Sequence, residues 1–506
     1  MAQYNLSGNI DPNKVFLINR SELEGRFDST SYKPSFCFSS SKYKMEKLKK
    51  VAYLNPKVSF EKLDREKEIS FVPMEVINEH NGKISETRFK KVEESKGFTR
   101  FAENDLIWAK ITPCMQNGKS AVARNLQQGV GCGSTEFFVI RPKSETELLV
   151  DYLHFLLRDA RVLKDAQNYF GGSAGQQRVS PEFIKDFKVP MLPIEMQQII
   201  VDIIGNAYIT KQQKDAEAKA LLESIDSYLL EELGITLPEK SEVKAEDIPT
   251  WMNPENLLVK NGRLFLTNSR EVIGQRFDPK PYDTNTKNLK QAIANCKTNS
   301  VQLKSLIIHS CAGDWGTDET EAEENQENKK CLVIRATEFD NKYNLNLDNT
   351  RVKYRLIKQS KLTRMDIQEN DLLIEKSGGS PDQPVGRIAF LSKEILNNDT
   401  HISYSNFIHK IRVNSTKINP QYLFYFLKTM HNVKLTETMQ SQTNGIRNLI
   451  MYSYFAQNIP LPEKDKQEAI IRNISLLLTK AQNLENEAIQ ILKQAKIEIE
   501  QMILGE

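Results

Sequence analysis

Glycine and proline are scarce, 22 and 19 of 506 residues, which rules out a collagenous or low-complexity polymer. Cysteine is scarcer still. Cys37, Cys114, Cys132, Cys296, Cys311 and Cys331 are scattered without a CxxC pair, and none of the six histidines falls in HExxH or zinc-finger spacing, so no metal site is expected. Neither sign of charge dominates: 69 Lys+Arg face 66 Asp+Glu, a net +3. Binding to nucleic acid would therefore need a local basic surface. No apolar run approaches the roughly 18 residues of a bilayer span. The start Met1-Ala2-Gln3-Tyr4-Asn5-Leu6 has no basic region followed by an apolar core, and a cytoplasmic location is expected. With 39% hydrophobic residues, the chain reads as globular, of about two to four domains.

What the sequence does contain is a long repeat. Glu24-Gly25-Arg26-Phe27-Asp28 with Tyr32 returns as Gly274-Gln275-Arg276-Phe277-Asp278 with Tyr282. Phe71-Val72-Pro73 matches Leu332-Val333-Ile334, and Glu103-Asn104-Asp105-Leu106-Ile107 recurs as Glu369-Asn370-Asp371-Leu372-Leu373, with Lys110 answered by Lys376. Tyr152-Leu153 with Phe155-Leu156-Leu157 matches Tyr422-Leu423 with Tyr425-Phe426-Leu427, an amphipathic helix in both copies. Gly175 to Pro190 then matches Gly445 to Pro460, and Gln197, Ile200 and Ile204 match Gln467, Ile470 and Ile474. So many matches in one order make the chain two copies of one unit.

Each copy closes with a long helical pattern. Ile470, Ile474, Leu477, Ala481, Leu484, Ala488, Ile491, Ala495 and Met502 follow 4-3-4-3 spacing, broken at Glu498, which is a heptad seam. The first copy carries Ile200, Ile204, Ala207, Ala218, Leu221, Ile225 and Tyr228, interrupted by Lys211 and Lys214. Pro193 and Pro462 precede these helices and Gly234 and Gly505 follow them, as start and stop signals do. About 40 residues give roughly 60 Å. A seam of that length needs a partner, and the economical one is the other helix, antiparallel. Ile200, Ile204, Leu221, Ile225, Ile470, Ile474, Leu477, Leu484 and Ile491 are the expected pairing residues.

Together these parts resemble the specificity (HsdS) subunit of type I restriction-modification enzymes. The residues that carry the likeness are Gly171-Gly172-Ser173-Ala174-Gly175-Gln176-Gln177-Arg178-Val179, then Val189-Pro190-Met191-Leu192-Pro193, then Gln197-Gln198-Ile199. The second copy has Thr443-Asn444-Gly445-Ile446-Arg447-Asn448-Leu449, then Ile459-Pro460-Leu461-Pro462, then Gln467, and Gly313-Asp314-Trp315-Gly316 also fits the pattern. The first copy lacks that last motif. The resemblance implies an α+β chain in which two similar mixed α/β target recognition domains are joined by an antiparallel coiled coil with pseudo-two-fold symmetry. The expected bounds are 1–193 and 259–463 for the domains, 194–234 and 464–506 for the helices, and 235–258 for a linker. It further implies double-stranded DNA as ligand. The implied partners are two modification subunits that bind S-adenosylmethionine, and restriction subunits that use ATP and Mg. This chain itself would hold no cofactor and catalyse nothing.

Apparent catalytic motifs do not hold up. Pro113-Cys114-Met115-Gln116-Asn117-Gly118-Lys119-Ser120 ends like a P-loop, but Pro113 stands where the first glycine belongs and removes a backbone N–H. Every Asn-Pro or Asp-Pro, as in Asn55-Pro56-Lys57, departs from the adenine-methylase tetrapeptide, and Pro381-Asp382 has no nuclease partner. The acidic run from Asp314 to Glu327 reads as a solvated loop.

Base reading needs Arg, Lys, Asn and Gln at base edges and cations on phosphates. The closing loops supply them beside glycines: Ser173, Gln176, Gln177 and Arg178 in one copy, Gln442, Thr443, Asn444 and Arg447 in the other. Lys110, Lys119, Lys376 and Arg387 are the next candidates. Two readers on a rod of about 60 Å would recognise two short sequences separated by at most roughly 18 base pairs. The competing readings are the recognition subunit of another bacterial DNA-modification or phage-defence system, and a protein-protein scaffold.

Overall fold

The computed structural model describes residues 38, 42–61, 63–172, 176–237, 284–296, 298–318, 320, 324–340, 342–380, 383–397, 400–443 and 446–505. The early repeat around Arg26 and Arg276 lies outside them, as do Ser173, Asn444 and Pro381-Asp382. The chain forms two compact units, Met1–Asp215 with Asn486–Glu506, and Ala216–Glu485. Each unit therefore holds part of each long helix.

In the first unit the strands are β1 (Lys44–Lys47), β2 (Ala52–Leu54), β3 (Glu68–Val72), β4 (Arg88–Lys91), β5 (Thr99–Ala102), β6 (Leu106–Ala109), β7 (Ser120–Val122), β8 (Val130–Gly133), β9 (Phe137–Pro142), β10 (Phe170–Gly171), β11 (Arg178–Val179) and β12 (Lys188–Met191). One sheet runs β2-β9-β6-β7 and is antiparallel. Its middle strand Leu106-Ile107-Trp108-Ala109 is buried throughout, as a strand covered on both faces must be. The second sheet runs β4-β3-β8-β5, with β3 and β8 parallel. Helices α1 (Val150–Leu157) and α2 (Ala160–Ala166) follow, and α1 buries Tyr152, Leu153, Leu156 and Leu157.

The second unit repeats this plan. Its strands are β13 (Ser300–Gln302), β14 (Ile307–Ala312), β15 (Asn328–Ile334), β16 (Lys353–Lys358), β17 (Leu372–Glu375), β18 (Ser377–Gly378), β19 (Ile388–Phe390), β20 (His401–Tyr404), β21 (Ile408–Val413), β22 (Gln440–Thr443), β23 (Ile446–Leu449) and β24 (Asn458–Pro460). The order β14-β21-β17-β19 repeats β2-β9-β6-β7, and β16-β15-β20 repeats β4-β3-β8, parallel pair included. β13 pairs with β24 as β1 pairs with β12.

Side chains repeat with the strands. Asp105 and Asp371, both fully buried, accept a backbone N–H at the turn before β6 and β17, from Ala102 and Gln368. Each also holds an arginine of the neighbouring strand, Arg141 at 2.6 Å and Arg412 at 2.7 Å. Asn104 and Asn370 turn the chain there at φ 64° and 68°, a conformation asparagine tolerates. Gly313, by contrast, serves only the second copy, where a Cβ would sit 2.3 Å from the carbonyl oxygens of Tyr404 and Ser405. The acidic run that follows ties itself down through Asp314 to Lys361 and Asp318 to Arg355.

The long helices are α3 (Ile194–Glu232) and, after α4 (Pro420–Asn432), α5 (Lys464–Leu504). In the first unit Ile200 and Ile204 share a core with Ile499 and Ile503, and Lys214 pairs with Glu487. In the second, Ile225 and Leu229 share a core with Ile470 and Ile474, while Glu217 meets Lys480 and Glu232 meets Lys466. Low numbers on one helix meet high numbers on the other in both units, so the pairing is antiparallel. Leu221, Leu477 and Leu484 pack into these seams. The last turns correct the expected register: Glu498 is exposed, Met502 is only half-buried, and Ile499 and Ile503 are fully buried. Ile491 is half-buried, and Leu492 makes the core contact. Spacing of 4-4 at this end follows the 3.6-residue turn of a straight helix.

Candidate nucleic-acid interface

The feature that both units build alike lies just past the middle strand of the antiparallel sheet. After β6, Lys110 donates its N–H to the Glu136 carbonyl and accepts from the Val179 N–H, and the Thr112 N–H binds the Gln177 carbonyl. After β17, Lys376 donates its N–H to the Phe407 carbonyl and accepts from the Leu449 N–H, and β18 pairs with β23. The closing segments are hairpins, β10 on β11 and β22 on β23. Backbone pairing thus lays each hairpin along the segment that starts with the repeated lysine.

The candidate side chains divide into two groups. Gln176 and Arg178 are exposed and Gln177 is half-buried. Glu136 grips the Arg178 guanidinium through both carboxylate oxygens, the closest contact 2.7 Å. The Arg178 guanidinium holds the Glu136 carboxyl below its usual range, so the pair stays ionised and the arginine fork is oriented. The Lys110 ammonium lies 5.5 Å from the Phe138 ring centre. In the second unit Lys376 and Arg447 are half-buried, Gln442 and Thr443 occupy β22, and Ile446 stands exposed at the hairpin tip.

Lys119 and Arg387 are engaged inside the fold. Lys119 donates to the Met74 carbonyl at 3.2 Å, and Arg387 is bound at 2.8 and 2.9 Å by the buried Glu375. The P-loop-like stretch is a turn between β6 and β7, and a strand follows Lys119, not the helix whose N-terminus would face a phosphate.

Sequence reasoning missed the edge strands of the second sheets. β4 reads Arg88-Phe89-Lys90-Lys91 and β16 reads Lys353-Tyr354-Arg355-Leu356-Ile357-Lys358. Lys90 lies 5.0 Å from the Phe71 ring and 5.3 Å from Phe98, Lys330 lies 5.5 Å from Tyr354, and Arg355 lies 4.9 Å from Trp315. Lys90 is also paired with Glu94 at 3.9 Å and Arg355 with Asp318 at 2.6 Å, so a phosphate here would compete with those carboxylates. The signal was the alternation of basic and aromatic residues at equivalent places in the two copies.

The chain thus consists of two α+β units of one plan, each holding part of both long helices. Residues 40–223 match the family model of the type I restriction modification DNA specificity domain. It is 35% identical over 200 residues to the type I restriction enzyme EcoEI specificity subunit of Escherichia coli, and 34% identical over 200 residues to the EcoAI specificity subunit of the same organism. Each alignment covers 39% of this chain and 33% of the relative, so the matched stretch spans a third of those proteins. A chain solved in work on complex assembly and conformational transition of the type I R-M system aligns at TM-score 0.51 and 14% identity, over 91% of this chain and 96% of that chain. That likeness concerns the fold alone.

Proposed function

We propose that this chain is the DNA-specificity subunit of a type I restriction-modification enzyme. In this reading residues 1–193 and 259–463 are two target recognition domains that read the two parts of an asymmetric bipartite site. The paired helices act as spacer and as seat for two modification subunits, which in turn recruit restriction subunits. Methyl transfer with S-adenosylmethionine and ATP-driven restriction belong to those partners, and this chain works in the cytoplasm without a cofactor of its own.

The observation that carries the reading is the repeated hairpin laid against Lys110 and Lys376, furnished with different side chains in the two copies: Gln176, Gln177 and Arg178 against Gln442, Thr443 and Arg447. One scaffold with two vocabularies is what an asymmetric target requires. Ser173 and Asn444 belong to the same loops by sequence, and Lys119 and Arg387 are proposed as further DNA contacts. The family match over residues 40–223 supports the same assignment.

Selection from a random duplex library by the full chain, alone and with a methylase subunit, tests this. Two short enriched sequences separated by a fixed unread gap are expected. Arg178→Ala should relax one of them and lower affinity about tenfold, the cost of a lost base or phosphate contact of about 1–3 kcal/mol. Arg447→Ala should act on the other sequence. Absence of any enriched bipartite site would overturn the reading.

A further inference from the structure

The two units differ sharply at one equivalent place. In the second, the turn after Phe339 is closed by Asp340, whose Oδ1 accepts from the N–H groups of Lys342 and Asn344. Tyr343 then adopts φ 73° and is buried, its ring centre 6.1 Å from Phe424 and 5.9 Å from Tyr425. The Lys428 ammonium lies 5.1 Å from that ring. The phenol oxygen is buried without a hydrogen-bond partner, within electrostatic range of Asp226 of α3. A tyrosine in the left-handed region is strained, and it persists here as a plug.

In the first unit the same turn follows Ile77, and Asn78 Oδ1 accepts from the N–H groups of His80 and Asn81. The residue with positive φ is Gly82, at 66°. His154 and Phe155 stand at the positions of Phe424 and Tyr425, Arg158 at that of Lys428, and Lys496 of α5 at that of Asp226. With the ring gone, a cleft of about 840 Å³ remains, within the range of small-molecule sites. Its walls include Phe38, Phe155, Leu163, Ile204 and Leu492.

Polar groups converge on this cleft. Arg158 Nη2 donates to the carbonyls of Glu79 and His80 at 2.8 and 2.9 Å, while Nη1 is buried without a hydrogen-bond partner, and the Tyr208 hydroxyl of the same lining stands close to the guanidinium. Gly82 is what admits that guanidinium, since a Cβ there would lie 2.1 Å from Nη1. The carboxylates in the lining have partners: Asp151 holds Arg124, Asp159 and Glu500 hold Arg161, and Glu79 accepts from Asn117. Among the described residues Lys496 forms no ion pair, although it lies within electrostatic range of Asp159.

We propose that this cleft is a ligand site, one per chain, for a small aromatic acid whose ring takes the place Tyr343 fills in the other unit. Its anionic substituent would meet Arg158 Nη1 and Lys496, at the level where the phenol of Tyr343 lies within range of Asp226. The exchange of Asp226 for Lys496 sets the ligand's charge, and the exchange of Tyr343 for Gly82 makes the room. The inference is independent of DNA reading.

Calorimetric titration of the full chain with phenyl phosphate, and separately with phenol and with inorganic phosphate, tests it. Phenyl phosphate should bind one to one, at least tenfold tighter than either fragment. The exposed Lys496→Asp change, which leaves the core untouched, should weaken it at least tenfold. The double variant Gly82→Tyr with Arg158→Lys, which copies the second unit, should abolish binding. Equal affinity for phenyl phosphate and inorganic phosphate, no binding at all, or undiminished binding by Lys496→Asp would overturn the proposal.

Discussion

Burial of the His154 imidazole, with the Arg158 guanidinium nearby, pushes its pKa down to about 3, and burial lowers that of His409 to about 4. Both therefore fold neutral. An unfolded histidine binds its proton near pH 6.5, so the unfolded chain takes up protons first and stability falls as pH drops below that value. Acidification from pH 7 to 5 should cost about 2 kcal/mol for each such histidine. The second unit has Phe424 at the place of His154, so His154→Phe should remove most of the first unit's share, read as the shift in urea midpoint between the two pH values. An unchanged shift would place the proton uptake elsewhere. Little of this was legible beforehand. The sequence marked Asp105 and Asp371 as repeated, but not that they hold Arg141 and Arg412, because those partners come from strands some forty residues away. Nor did it show that Glu375 holds Arg387, a partnership recognisable only once β17 and β19 are paired.

Gln197 and Gln467 tie each long helix to its unit. Gln197 Oε1 accepts from the Leu149 N–H that opens α1, and its Nε2 donates to the carbonyls of Glu147 and Leu192. Gln467 does the same with the Asn419 N–H and the Pro462 carbonyl. Replacing either by leucine strands buried backbone groups and should cost about 1–3 kcal/mol. Denaturant unfolding should show this, and a loss within error would mean that water satisfies the orphaned groups. At the other end of α5, Ile499→Ala should cost about 2–5 kcal/mol and Glu498→Ala close to nothing, since the first side chain is fully buried and the second exposed. The helices themselves were readable from proline, apolar period and terminal glycine. Their last turns were not, because a heptad template imposes 3.5 residues per turn, whereas beyond Ala495 the buried positions step by four to Ile499 and Ile503.

Across the whole chain, duplication was the most legible feature, since residue matches recurring in one order become the same strand order and the same hydrogen bonds in both units. Divergence between the copies was legible as sequence but not as shape: nothing in Gly82 or Tyr343 alone announces an open cleft in one unit and a plug in the other. The proposed function requires that the helices set the distance between two base-reading units. Inserting one heptad into each helix, at the level of Ala218 and Ala481, which share a cluster, lengthens the pair by about 10 Å, or about three base pairs. The direct measurement is the gap between the two sequences selected from random duplexes by the original and the extended chain. The account predicts the same two sequences with the gap longer by about three base pairs; an unchanged gap in a folded, binding-competent extended chain would contradict it.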